Sequence, residues 1–138
     1  MPTPYESADL LLRLYDMRRE ETLRKARAWF GTFFPQSTDD ITKAVQGEHS
    51  AYFRMVTSYW DMASSLVNHG AIDAAMFNDA NGEHVFIYAK LQPYLAEYRT
   101  KIGAPGYLLH VEKLVTGTPE GLAKLEGVKL RIAAMSRK

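Results

Sequence analysis

Apolar residues along this chain recur at intervals of three and four, in runs closed by glycine or proline, and no stretch of four or more residues between turn signals alternates cleanly. Such spacing lines apolar side chains along one stripe of a helix, whereas a half-buried strand needs a period of two. The expected fold is therefore all-α: a bundle of four to five main helices with short connections, forming a single helical domain over residues 1–138. A chain of 138 residues buries roughly two-thirds of the surface its unfolded form exposes, enough core to stand without a metal or disulfide.

The spacing predicts a long first helix over 5–31, carried by Leu10, Leu11, Leu14, Leu23, Ala26 and Phe30 and stopped by Gly31 and Pro35. Asp9→Arg13, Glu20→Arg24 and Glu21→Lys25 stand four apart in the favourable order and would lace its exposed face. Ser37-Thr38-Asp39-Asp40 reads as a cap with acids in the first turn of a short helix reaching Val45. A strong helix follows over 48–69 with Gly70 as its left-handed stop, then one or two turns over 72–78 and a turn at Asn81-Gly82. Residues 83–102 form a helix interrupted by Pro93, where a kink is expected. A helix over 106–115 precedes Thr118-Pro119-Glu120, a start signal for the last helix, which runs to about 135. Gly121 and Gly127 each cost that helix about 1 kcal/mol relative to alanine, making it the weakest element.

The formal net charge of +1 creates no global field for nucleic acid or an acidic membrane. Residues 116–138 carry five Lys or Arg against Glu120 and Glu126, a local +3, while 31–105 carries five basic against eight acidic residues, a local −3. The basic stretch, which includes Arg137 and Lys138, reads as a solvated tail. With no cysteine, disulfides and thiolate zinc sites are excluded. The opening Met1-Pro2-Thr3-Pro4-Tyr5 lacks the basic start and apolar run of a signal peptide. No apolar run approaches the ~20 residues that span a bilayer. The expectation is a cytoplasmic protein with no membrane and no nucleic-acid partner.

Neither Glu-x-x-His nor His-Glu-x-x-His occurs, and Gly70 separates His69 from Asp73, so no metal and no cofactor is expected. Nucleophile-elbow, phosphate-loop and dinucleotide patterns are missing too. His49, His69 and His84 sit near expected helix ends, where a histidine caps, packs or acts as a base. Residues 38–56 imitate a helix-turn-helix, but Tyr52, Phe53 and Arg54 behind Glu48 make a poor DNA-reading surface.

Helix 48–69 is the most informative segment. One half of its wheel holds Tyr52, Met55, Val56, Tyr59, Trp60, Met62, Ala63, Leu66 and Val67; the other holds Ser50, Arg54, Thr57, Ser58, Asp61, Ser64, Ser65 and Asn68. A solvated face normally carries several Lys and Glu, but this half is mostly small hydroxyl side chains. Two readings stay open: a central helix packed on both sides, or a polar pocket lined by Arg54, Asp61, Ser65 and His69. If the face is covered, Asp61 needs partners. Arg54 lies two turns away, about 10 Å of rise, so Arg18, Arg19 or Arg99 from a neighbouring helix is the expected counter-ion.

Tyr15-Asp16-Met17-Arg18-Arg19-Glu20, Ala28-Trp29-Phe30, Phe34-Pro35, Ser58-Tyr59-Trp60-Asp61 and Asn68-His69-Gly70-Ala71-Ile72-Asp73 together resemble the bacterial DUF4760-type proteins. In those, an aromatic-acid step in a helix is followed by a Gly-x-Ile-Asp/Asn step, as here between Trp60-Asp61 and Gly70-Ala71-Ile72-Asp73. The likeness covers roughly residues 10–100 and implies a helical domain of uncharacterised function. Many members carry an N-terminal membrane helix, and no run of that kind occurs in residues 1–138.

The leading functional reading is a non-catalytic soluble helical interaction or oligomerisation module, expected as a homodimer joined through its glycine-bearing last helix. The alternative is a small-molecule-binding domain or small enzyme using the polar pocket around Arg54 and Asp61.

Overall fold

A computed structural model describes residues 2–136 and contains eight helices and no strand among them. In chain order these are α1 (Pro4–Arg18), α2 (Glu21–Gly31), α3 (Thr38–Gln46), α4 (Ser50–Asn68), α5 (Ala74–Ala80), α6 (Glu83–Ile102), α7 (Leu109–Thr116) and α8 (Pro119–Ser136). The all-α expectation holds, but four to five main helices was too few. Arg137 and Lys138 of the basic stretch lie outside the described residues.

The expected helix over 5–31 is two helices. Arg19 closes α1: its N–H donates to the Asp16 carbonyl at 3.1 Å, and the next N–H, that of Glu20, donates to the Met17 carbonyl at 3.3 Å. Glu20 then turns to extended backbone, and its carboxylate accepts the Thr22 and Leu23 N–H groups, both at 2.9 Å. Glu20 therefore caps α2 instead of pairing with Arg24, and these bonds hold its carboxyl below the usual carboxylate range. The two other expected pairs form, Arg13–Asp9 at 3.1 Å and Lys25–Glu21 at 3.3 Å. Helical spacing passes through the break because Leu14 of α1 and Leu23, Ala26 and Phe30 of α2 all enter one core.

Local signals set most other boundaries. Ser37 Oγ accepts the Asp40 N–H at 3.1 Å and starts α3. Gly70 (φ +83°) and Gly103 (φ +66°) provide left-handed stops after α4 and α6. Asp73 caps α5 through the Met76 N–H at 2.9 Å, and α6 runs unbroken through Pro93.

The core gathers around α4, whose Phe53, Val56, Trp60 and Ala63 are fully buried and which packs against α2, α3, α5 and α7. α6 lies across α3, α7 and α8. α1 is more peripheral: Ser7 Oγ accepts the Asp73 N–H at 3.0 Å, and the Tyr59 hydroxyl donates to the Leu14 carbonyl.

α7 starts at Leu109, three residues later than expected, because Leu108 adopts a left-handed backbone (φ +55°). That conformation costs a non-glycine residue on the order of 1–2 kcal/mol, offset by burial of the Leu108 side chain. At Gly121 a Cβ would lie 2.2 Å from the Val115 carbonyl oxygen, so the tight α7–α8 turn requires glycine there.

Candidate functional site

The polar half of α4 is the first place to look for a site. Thr57 and Ser64 are buried, and their hydroxyls donate to carbonyls of their own helix, Phe53 at 2.9 Å and Trp60 at 2.7 Å. Ser58 does the same to Arg54 at 2.6 Å. These are short local bonds that a mid-helix hydroxyl makes without any partner.

The four candidate pocket residues do not converge. Arg54 is exposed, and its Nε donates weakly to the Ser50 carbonyl at 3.4 Å. Ser65 and His69 do meet, with His69 Nδ1 2.8 Å from the Ser65 carbonyl and 3.3 Å from its Oγ. Asp61 is half-buried and faces α7, where its Oδ1 accepts the Val111 N–H at 3.0 Å. Because Leu108 supplies no side-chain cap to α7, Asp61 satisfies an orphan donor of that helix from across the interface. One helical row further, Asn68 Nδ2 donates to the His110 carbonyl at 2.9 Å. The expected arginine partner of Asp61 is thereby corrected. Arg99 Nε donates to the Tyr107 carbonyl at 2.8 Å and its Nη1 meets Glu112 at 3.1 Å. Arg18 reaches Asn81 at 3.1 Å, and Arg19 reaches Asp16 at 3.9 Å. Asp61 needed one backbone N–H, a kind of partner that an amino-acid pattern does not display.

The histidines are dispersed. His49 stacks on Trp29 at 5.1 Å, and His69 lies 5.8 Å from His110. His84 is buried against Trp60 and Phe77, where loss of hydration pushes its pKa down to about 4. No group of three His, Cys, Asp or Glu side chains positioned for a metal occurs among the described residues. Nor is any described helix long and apolar enough to cross a membrane.

Charge converges instead at the α1–α2 break. The sharp turn at Arg19-Glu20 brings Tyr15, Arg18, Arg19, Arg24 and Arg27 around one cleft of about 340 Å³. Arg27 anchors it: its Nε lies 3.0 Å from both Glu83 oxygens and its Nη2 2.7 Å from Oε1. Glu83 Oε2 also accepts the Trp60 indole N–H at 2.9 Å, tying this pair to the core. The carboxylate beside it raises the Arg27 guanidinium above its usual pKa. Arg18 lies 4.9 Å from the centre of the Tyr15 ring, a cation–π arrangement. Arg24 makes no ion pair and no side-chain hydrogen bond among the described residues. Each guanidinium carries five donors, so the cleft has far more donors than acceptors. The signal was legible as four arginines between residues 18 and 27, but a continuous helix would have spread them around its circumference.

Residues 5–118 match the family described as "Domain of unknown function (DUF4760)". The chain belongs to the DUF4760 family. The match runs from α1 to the α7–α8 turn, so it holds the arginine cleft and the α4–α7 seam of this DUF4760 chain, while α8 follows it. No curated protein and no solved structure matches the chain.

Proposed function

We propose that this DUF4760 protein is a non-catalytic helical recognition module that holds a phosphate-bearing ligand in the arginine cleft. The observation that carries the reading is the surplus of guanidinium donors: among the described residues Arg27 pairs with Glu83 at 2.7 Å, Arg19 lies 3.9 Å from Asp16, and Arg18 and Arg24 form no ion pair. Guanidinium forks match phosphate oxygens in pairs, and they stay protonated, so they bind and orient a ligand without transferring protons. The alternative pocket around Arg54 and Asp61 has less support, since Asp61 is engaged with α7. Isothermal titration with inorganic pyrophosphate at low salt tests the proposal, with citrate as the carboxylate comparison. Saturable pyrophosphate binding that weakens with salt and at least tenfold in Arg18→Ala/Arg24→Ala is expected. No binding at millimolar pyrophosphate, or equal binding by the double variant, overturns it.

Self-association is a second reading, favoured by the outer face of α8. Leu130 is 74 % exposed there and Leu122 48 %, while Gly127 has open space around it. A second copy packed on this face would cover them, and light scattering at tens of micromolar should then report a homodimer; a monomer alone removes this reading. We place the protein in the cytoplasm, in keeping with its lack of cysteine.

A further inference from the structure

A second cleft, of about 450 Å³, opens between α2, α6 and α8 on the other side of the Arg27–Glu83 pair. Phe30, Phe86, Ile87 and Met135 give it apolar walls. Lys90 lines this cleft and also borders the neighbouring one beside Phe34 and Pro93, and it is only 7 % exposed. Its Nζ donates to the Phe30 carbonyl at 2.7 Å and sits 4.3 Å from the centre of the Phe34 ring. An ammonium has three N–H donors, and one of them is placed. No carboxylate lies within ion-pair distance of Lys90 among the described residues. A buried charge without a counter-ion is costly, and here it borders an apolar cleft of the size that takes small molecules.

We propose that this cleft binds an amphipathic organic anion, an apolar body ending in one carboxylate, with Lys90 as the counter-ion. The apolar walls would cover the body, and the two remaining Lys90 donors would take the carboxylate oxygens. Burial pushes the Lys90 pKa down to about 8 against an opposing pull from Glu83, and a bound carboxylate would raise it again. The inference is independent of the pyrophosphate site, because pyrophosphate has no apolar body and decanoate has a single charge.

The test is displacement of the fluorescent probe 8-anilinonaphthalene-1-sulfonate by decanoate and by decanol, using the full chain. The wild type should show one saturable probe site, with decanoate displacing more strongly than decanol. Lys90→Met keeps the volume, and should weaken decanoate at least tenfold while leaving decanol unchanged. In Gly31→Leu the new side chain enters open space at the cleft rim and should weaken both, with circular dichroism confirming that the variant is folded. Pyrophosphate should displace nothing. Equal decanoate displacement from wild type and Lys90→Met, or no saturable probe site, overturns the proposal.

Discussion

The α4–α7 seam and the α2–α6 flank are both polar, and they use their polar groups in opposite ways. Along the seam, Thr57, Asp61, Ser64 and Asn68 follow one stripe of α4 at steps of four, three and four. Their side chains are short, and each reaches an acceptor or donor within its own helix or on α7. Along the flank, Arg18, Arg24, Arg27 and Lys90 are long and carry more donors than the fold has acceptors for, and they border clefts. Small polar residues therefore mark close helix approach here, while surplus donors mark the places with room for a ligand.

The strongest challenge to the seam is Ser64→Leu. Ser64 is fully buried between rows that bond to α7, and inserting three carbons into such packing costs about 1–3 kcal/mol. Urea unfolding should show a loss near the upper end, with Ser64→Ala within about 1 kcal/mol of wild type. A Ser64→Leu protein as stable as wild type would mean that the seam has space, as a pocket would.

On the flank, Lys90 should give stability a rise with alkaline pH. Its pKa is about 8 in the fold against an ordinary 10.5. Between those values the unfolded chain binds more protons, so stability rises with pH, by about 2 kcal/mol from pH 8 to 10. Glu83, the nearest acid, raises the Lys90 pKa and so acts against this depression. Tyr88 and Tyr107, both held at about 12 by burial, reverse the trend above pH 10, where the unfolded phenols lose protons first. Urea midpoints between pH 7 and 9.5 should therefore climb in wild type and stay flatter in Lys90→Met. Parallel slopes in the two proteins would place the ammonium in water.

Asp61→Ala should have a smaller effect. Had Asp61 formed a buried ion pair, removing it would cost about 3–5 kcal/mol. As a cap on the first turn of α7 it is worth about 1 kcal/mol, and Asp61→Asn, which keeps an acceptor oxygen, should be near neutral. A measured loss above 3 kcal/mol would restore the ion-pair reading and make the seam electrostatic.

The sequence was most informative where structure is local. Ser37 and Gly70 act through neighbours within four residues, and helical spacing follows from burying one stripe. It was least informative where a residue's role depends on distant backbone. Glu20 resembled half of a helical ion pair, because glutamate is uncommon among the preferred caps. Asp61 resembled a buried charge in need of an arginine, because the unpaired Val111 N–H arises only when Leu108 takes a left-handed backbone. Lys90 carried a readable signal as the one charge in the run Val85-Phe86-Ile87-Tyr88-Ala89-Lys90-Leu91. What it faces depends on where α2 ends and α8 passes.

The smallest stability effect is expected at Arg24. Arg24 is exposed and has no side-chain partner to lose among the described residues. Arg24→Ala should thus unfold within about 0.5 kcal/mol of wild type, the range of surface substitutions. Its stem can cover apolar surface, so Arg24→Met serves as the control that keeps the stem and removes the donors. Both variants should bind pyrophosphate several-fold more weakly than wild type. Asp61→Ala should show the converse: a stability loss with pyrophosphate affinity unchanged, since it lies on the seam. If Arg24→Ala is destabilised by more than 1 kcal/mol while Arg24→Met is not, the side chain serves packing and the cleft loses its best donor. If both keep full pyrophosphate affinity, the surplus donors hold no ligand, and the contrast between seam and flank describes packing alone.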